Sequence, residues 1–228
     1  MRFLIRLFFV VLLSCPTYAA DTLYINAQQL DLISFLPPPV VNGSPEDKAQ
    51  QLQVIAIQKS ASKERIAQAN ADVEETVFAM YGGVLGSKFK SESLPMVTAL
   101  FEKMGESESA VVDPVKAHFS RTRPYLNNPD IKPLVKPSSS GAYPSGHTTR
   151  SMMMAIVLSK MVPEKQADIF LRADDYAQSR VIGGMHYLND IDAGRRSGTA
   201  IAAALLTDAR FMADFLAAKN ELRSVLGL

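Results

Sequence analysis

Apolar residues recur at three- and four-residue intervals through nearly all of the chain after Pro45, and this period constrains the fold more than any other feature. Alternating strand patterns are scarce, so an all-α protein is predicted. The expected helices run over Glu46–Lys59, Ser62–Tyr81, Leu94–Met104, Val112–Phe119, Thr148–Met161, Pro163–Val181, Asp190–Leu205 and Asp208–Leu226, with Gly82-Gly83 as the stop of the second. A length of 228 residues suits one domain built from them. Leu30–Pro45 contains Pro37-Pro38-Pro39 and Asn42-Gly43-Ser44-Pro45, which no helix or central strand absorbs, and reads as an extended arm that wraps the domain and leads into a turn.

The first twenty residues stand apart. Met1–Ala20 carries Arg2 and Arg6, an apolar run from Leu7 to Leu13, and small residues ending at Ala19-Ala20, the layout of a secretory leader. The run is far short of the ~20 residues a bilayer requires, so export with cleavage near Ala19 or Ala20 is expected, not anchoring. Leu12-Leu13-Ser14-Cys15 as a degenerate lipidation box is the alternative. Without the leader's two Arg, 22 basic side chains face 23 acidic ones, a formal charge of −1. That balance draws the chain neither to nucleic acid nor to anionic lipid. Cys15 is the only cysteine, so the mature chain is expected to hold neither a disulfide nor a cysteine-ligated metal.

Three segments carry residue types that a core does not need. In Lys116-Ala117-His118-Phe119-Ser120-Arg121-Thr122-Arg123-Pro124, Lys116 and Arg123 lie two helical turns apart and share a face if the helix persists; a solvated basic face is the competing account. In Gly141-Ala142-Tyr143-Pro144-Ser145-Gly146-His147-Thr148, small residues precede a helix whose open N–H groups and dipole favour an anion, and Ser145 serves as cap or as ligand. In Ser179-Arg180-Val181-Ile182-Gly183-Gly184-Met185-His186-Tyr187-Leu188-Asn189-Asp190, the interval from His186 to Asp190 lets a carboxylate accept from one ring nitrogen while the other faces outward as base or nucleophile. The alternative there is that Asp190 only opens the next helix. Gly183-Gly184 would let the backbone approach a ligand.

Together these segments resemble the phosphatidic-acid-phosphatase-type, vanadate-binding superfamily, whose signature is Lys-x6-Arg-Pro, Pro-Ser-Gly-His and Ser-Arg-x5-His-x3-Asp. It stands here, in order, as Lys116, Arg123-Pro124, Pro144-Ser145-Gly146-His147, Ser179-Arg180, His186 and Asp190. The run from Gly141 to Thr148, the Pro-rich arm and the leader look most like the class A bacterial nonspecific acid phosphatases. The likeness is strongest from about Lys116 to Arg195; upstream only Leu36-Pro37-Pro38-Pro39 and Asp47-Lys48-Ala49 are similar to that class. Ala142 stands where the family has Ser, and Tyr187-Leu188-Asn189 where it has an aromatic residue followed by Pro-Ser. These departures are expected at the pocket rim, where they bear on substrate preference.

The resemblance implies a single-domain helical bundle of the acid phosphatase and vanadium-dependent haloperoxidase type over residues 21–228, and a periplasmic enzyme that hydrolyses many phosphomonoesters. His186 would carry the phosphoryl group, Asp190 would hold its tautomer, and His147 would serve as acid and then base. Lys116, Arg123, Arg180, the Ser145 hydroxyl and the Gly146 N–H would surround the phosphoryl oxygens. No cofactor and no metal is implied; of the three histidines, His118 falls outside the signature and reads as a surface or helix-packing residue. Met152-Met153-Met154 reads as core behind His147, and Asp174 and Asp175 as solvent-facing. Small phosphomonoesters are the expected partners, with no nucleic acid, no membrane after cleavage, and a homo-oligomer left open. Two other readings stand: a vanadium haloperoxidase, which shares the cationic cage but is typically a much longer chain, and a periplasmic phosphate-binding protein, which has no use for the His186 and Asp190 pair.

Overall fold

The computed structural model describes residues 23–228, so the leader expected over Met1–Ala20 and Cys15 lie outside the described residues. Among the described residues there are helices and no strands: α1 (Leu32–Phe35), α2 (Pro45–Ser60), α3 (Lys63–Ala71), α4 (Val77–Leu85), α5 (Pro95–Phe119), α6 (Pro124–Asn127), α7 (Gly146–Met161), α8 (Gln166–Ile182), α9 (Leu188–Leu205) and α10 (Ala209–Leu226), with 3₁₀ turns at Ser91–Ser93 and Pro163–Lys165. The all-α expectation holds. Among the described residues six helix starts are capped, with Asp31, Ser44, Ser62, Thr76, Ser145 and Asp208 each accepting a first-turn N–H. No helix among the described residues is long and apolar enough to cross a membrane.

The core forms around α7, which lies against α8 and α9 and also meets α4, α5 and α10. Met153, Met154, Val157, Leu158 and Met161 of α7 are buried; of the methionine run expected in the core, Met152 is only half-buried. The α7 and α9 backbones nearly touch: a Cβ at Gly194 would stand 2.8 Å from the Ser145 carbonyl oxygen, and one at Gly198 would collide with that of Thr149. Side chains as small as glycine at these positions are what let the two helices, and the two ends that carry His147 and Asp190, lie this close. The arm closes over this core. Tyr24, Ile25, Leu32 and Leu36 are buried, the Tyr24 N–H donates to Ser107 Oγ at 3.0 Å, and the Tyr24 ring meets Phe211 of α10 edge-on.

Several boundaries differ from the sequence reading. The arm contains a single helical turn, α1, capped by Asp31, before the prolines extend it. Gly82-Gly83 does not stop a helix; α4 continues to Leu85 and ends at Gly86, whose φ of 90° is open to glycine. Ser62–Tyr81 is two helices, broken at residues 72–76 because the Asp72 carboxylate is drawn out to Arg172 of α8 at 2.6 Å and to Ser179 at 2.5 Å. The two predicted helices between Leu94 and Phe119 are one, since tertiary contacts override the weak propensity of Gly105–Ser109: Ser107 Oγ accepts the Tyr24 N–H at 3.0 Å and Glu108 pairs with Arg150 at 2.8 Å.

Candidate active site

The three signature segments meet where α5 ends, α7 begins and α8 turns into α9. Lys116 and Arg123 do converge, but not as one helical face: α5 ends at Phe119, Ser120 turns left-handed at φ 45°, and Arg123 precedes α6. Both side chains donate to the Gly141 carbonyl, each at 3.3 Å. Gly184, at φ +73°, reverses the chain between α8 and His186; a Cβ there would lie 2.7 Å from the Lys132 carbonyl oxygen. The close approach expected at this glycine pair is therefore to protein backbone, not to a ligand.

His186 is buried, and its neighbours define its tautomer. Arg123 Nη1 lies 3.1 Å from Nε2, and a guanidinium has no lone pair to offer, so Nε2 is the unprotonated acceptor. Nδ1–H donates to the Ala142 carbonyl at 2.8 Å, with Asp190 Oδ2 3.6 Å away. The bond expected between ring and carboxylate thus goes to Ala142, and Asp190 stands behind it as a charge. Asp190 Oδ2 instead accepts the Tyr187 N–H at 2.8 Å and Oδ1 takes Arg121 at 2.6 Å. Burial, then the charges of Arg123, Lys116 and Arg180, hold His186 well below the usual imidazole range. Burial also raises Asp190 to about 6 against the pull of Arg121.

Around Nε2 stand three buried cations, Lys116, Arg123 and Arg180. Arg65, Arg121, Arg150, Arg172 and Arg195 each pair with a carboxylate. Among the described residues these three make no ion pair: Lys116 Nζ donates to the Pro144 carbonyl at 2.8 Å, Arg123 to carbonyls of Ser140 and Met185, and Arg180 to that of Asp72. Arg180 Nε has no hydrogen-bond partner there. Burial, with Arg123 alongside, brings Lys116 down to about 8. Ser145 caps α7, its Oγ accepting from the Thr148 N–H and hydroxyl, which leaves its own proton for an anion. Gly146 begins α7 with Lys116 beside it. The arrangement sets cations without a carboxylate partner among the described residues beside one neutral ring nitrogen, surroundings that would suit an anion.

His147 sits on the same helix end, in a different setting. Nδ1 lies 3.0 Å from Glu75 Oε1 and Nε2 lies 3.3 Å from the Val73 carbonyl oxygen. Glu75 Oε2 takes Arg150 at 3.3 Å, and Arg150 is anchored in turn on Glu108. Although burial raises it, the hydrogen bond and charge of His147, with Arg150 and Arg180, bring Glu75 down to about 2. Burial lowers His147 and the Glu75 carboxylate opposes it.

Other predicted positions fall elsewhere. His118 is exposed, edge-on to Phe119. Asp174 and Asp175 reach solvent, yet pair with Arg195 and with Arg65. Ala142 and Tyr187 are not rim residues: both are fully buried, and the Tyr187 ring carries the Arg121 guanidinium 4.2 Å from its centroid. Reasoning from sequence missed Glu75, Arg121 and Glu108. Arg121 is visible only as one basic residue among several, and Glu75 lies inside a run whose period reads as unbroken helix. Among the described residues no three His, Asp or Glu side chains converge as a metal-ligating group.

Residues 104–211 match the family model described as PAP2 superfamily. The chain is 32% identical over 199 residues to a non-specific acid phosphatase of Salmonella typhi, covering 82% of this chain and 78% of that protein. A non-specific acid phosphatase of Providencia stuartii is 30% identical over 90% of this chain and 86% of its own. An acid phosphatase of Zymomonas mobilis is 28% identical, over 84% and 75% respectively.

Proposed function

The chain belongs to the PAP2 superfamily and is an acid phosphatase of the class A bacterial type, and from that premise we propose that it hydrolyses a broad range of phosphomonoesters through a phosphohistidine at His186, without a metal ion. The observation that carries the reading is the set of three buried cations with no carboxylate partner among the described residues. Burying a charge unpaired is costly, so such a cluster is built for an anion that arrives from outside. A phosphoryl group fills that place, and its spreading negative charge in the transition state is what fixed cations stabilise best.

The steps balance. His186 Nε2 forms a bond to phosphorus as the bond to the ester oxygen breaks, and His147 gives that oxygen its proton. Water then attacks phosphorus, His147 takes a proton from that water, and the bond between nitrogen and phosphorus breaks to release phosphate. Asp190 stabilises the phosphorylated, positively charged ring through space. The cage grips the phosphoryl group and not the leaving group, which supports breadth. The leader supports export to the periplasm, with residues 21–228 as one mature domain. The relatives' names favour neither the haloperoxidase nor the binding-protein reading.

The test is hydrolysis of p-nitrophenyl phosphate by the mature protein. Vanadate is expected to inhibit, EDTA to have no effect, and acid quench followed by mass analysis to find phosphate on His186. Loss of activity in EDTA, or no phosphohistidine in either the wild type or His147→Ala, refutes the mechanism.

A further inference from the structure

The two histidines of the site are backed by parallel chains of side chains that end in opposite ways. Behind His186 stand Asp190, Arg121 and Asp47; behind His147 stand Glu75, Arg150 and Glu108. His186 presents one nitrogen to a carbonyl and the other to a guanidinium donor, an environment that fits only a neutral ring. His147 presents both nitrogens to acceptors, a carboxylate at 3.0 Å and a carbonyl at 3.3 Å. A neutral ring can donate to one of these; only an imidazolium can donate to both. The Nδ1 bond is the shorter and is charge-assisted, while the Nε2 contact is long and lies on the solvent-exposed side. Nε2 is therefore the nitrogen free to exchange its partner for a substrate oxygen.

We infer that Glu75 is the positioning residue of the acid-base histidine: by accepting from Nδ1 it holds the His147 ring with Nε2 toward the leaving group and keeps a proton there to give. This rests on the roles of His147 and His186 proposed above. Arg150 turns the second oxygen of Glu75 away from the ring, and its bonds to Glu108, to the Gly105 carbonyl and to Ser109 tie the loop between α3 and α4 to α5. The groups facing His147 are Glu75 from that loop, Tyr176 and Arg180 from α8, Arg150 from α7, Glu108 behind it from α5, and His186 ahead of α9. Of those nearest the ring, Arg180 opposes its positive charge and Glu75 supports it. Without the carboxylate, the protonated ring should persist only to lower pH.

The experiment measures kcat/KM against pH, which reports the phosphorylation step, for wild type, Glu75→Gln, Glu75→Asp and His147→Ala. It uses an alkyl ester, glycerol 2-phosphate, which needs a proton donor, and p-nitrophenyl phosphate, which scarcely does. Glu75→Gln is expected to lose ~10–100-fold on the alkyl ester, to lose several-fold less on the aryl ester, and to move the alkaline limb to lower pH, with Glu75→Asp between it and wild type. Equal losses on both esters with an unmoved limb overturn the inference, as does wild-type behaviour of Glu75→Gln beside a His147→Ala variant crippled on the alkyl ester alone. If His147→Ala itself handles the alkyl ester like wild type, the proposed mechanism falls and takes the inference with it. Should Glu75→Gln fail to fold, Glu75→Asp decides: a loss confined to the alkyl ester supports the role, and no selectivity rejects it.

Discussion

At His186 the protonation state follows from what each nitrogen faces, and the proposed nucleophile has to be neutral to offer a lone pair. Asp190 is less simple, because one carboxylate does three things: it caps α9 at the Tyr187 N–H, neutralises buried Arg121, and stands 3.6 Å from the ring. Asp190→Asn removes the charge and keeps the shape, so it leaves Arg121 buried beside a neutral amide and would leave the phosphorylated ring of the proposed mechanism without a counter-charge. The melting temperature should fall on the first account and kcat should fall on the order of 10²–10⁴-fold on the second. Steady-state kinetics well below the variant's melting temperature separates the two. A kcat within tenfold of wild type would leave Asp190 only the structural jobs.

Between elements, the crossing of α7 and α9 aligns the site, since the Ser145 N–H at the start of α7 donates to the Asp190 carbonyl at 3.0 Å. Gly198→Ala drives a methyl into the Thr149 carbonyl and should cost ~1–3 kcal/mol, with a drop of several degrees in melting temperature. Gly83→Ala, within α4 and with open space around it, should instead stabilise by ~0.5–1 kcal/mol. Calorimetry finding Gly198→Ala neutral would mean that α7 and α9 can part without penalty. The helical period made these elements legible, and the signature made the cage legible, because helices and cages are written in short-range spacing. What joins them is not. The break at residues 72–76 depends on Arg172, a hundred residues away, and the partner of Glu75 lies 72 positions on; both are set by packing that no local pattern encodes. Likewise Gly105–Ser109 is helical because α7 supplies Arg150, and Ala142 shows its importance through a backbone carbonyl that every residue type possesses.

Over the whole molecule, buried titratable groups set opposing pH dependences. The folded chain holds His186 neutral where the unfolded chain, with an ordinary value of 6.5, takes up a proton, so its contribution to stability is lost as pH falls below about 6.5. Glu108 runs the other way: burial raises it from 4.5 to about 7, the folded chain keeps a proton that the unfolded chain releases, and stability is lost as pH rises across that window. Thermal melts against pH should therefore show a shallower acid-side loss in His186→Gln and a flatter slope between pH 4.5 and about 7 in Glu108→Gln. Wild-type slopes in both variants would show that neither group titrates as its surroundings dictate. A last property concerns time. Tyr24 closes onto α10 through a hydroxyl bond to Asp214, 190 residues further along. A ribosome delivers Tyr24 long before Asp214, so this clasp cannot close until α10 has been made. The segment around Tyr24 is therefore fixed late, by an element that follows every residue of the candidate site in chain order.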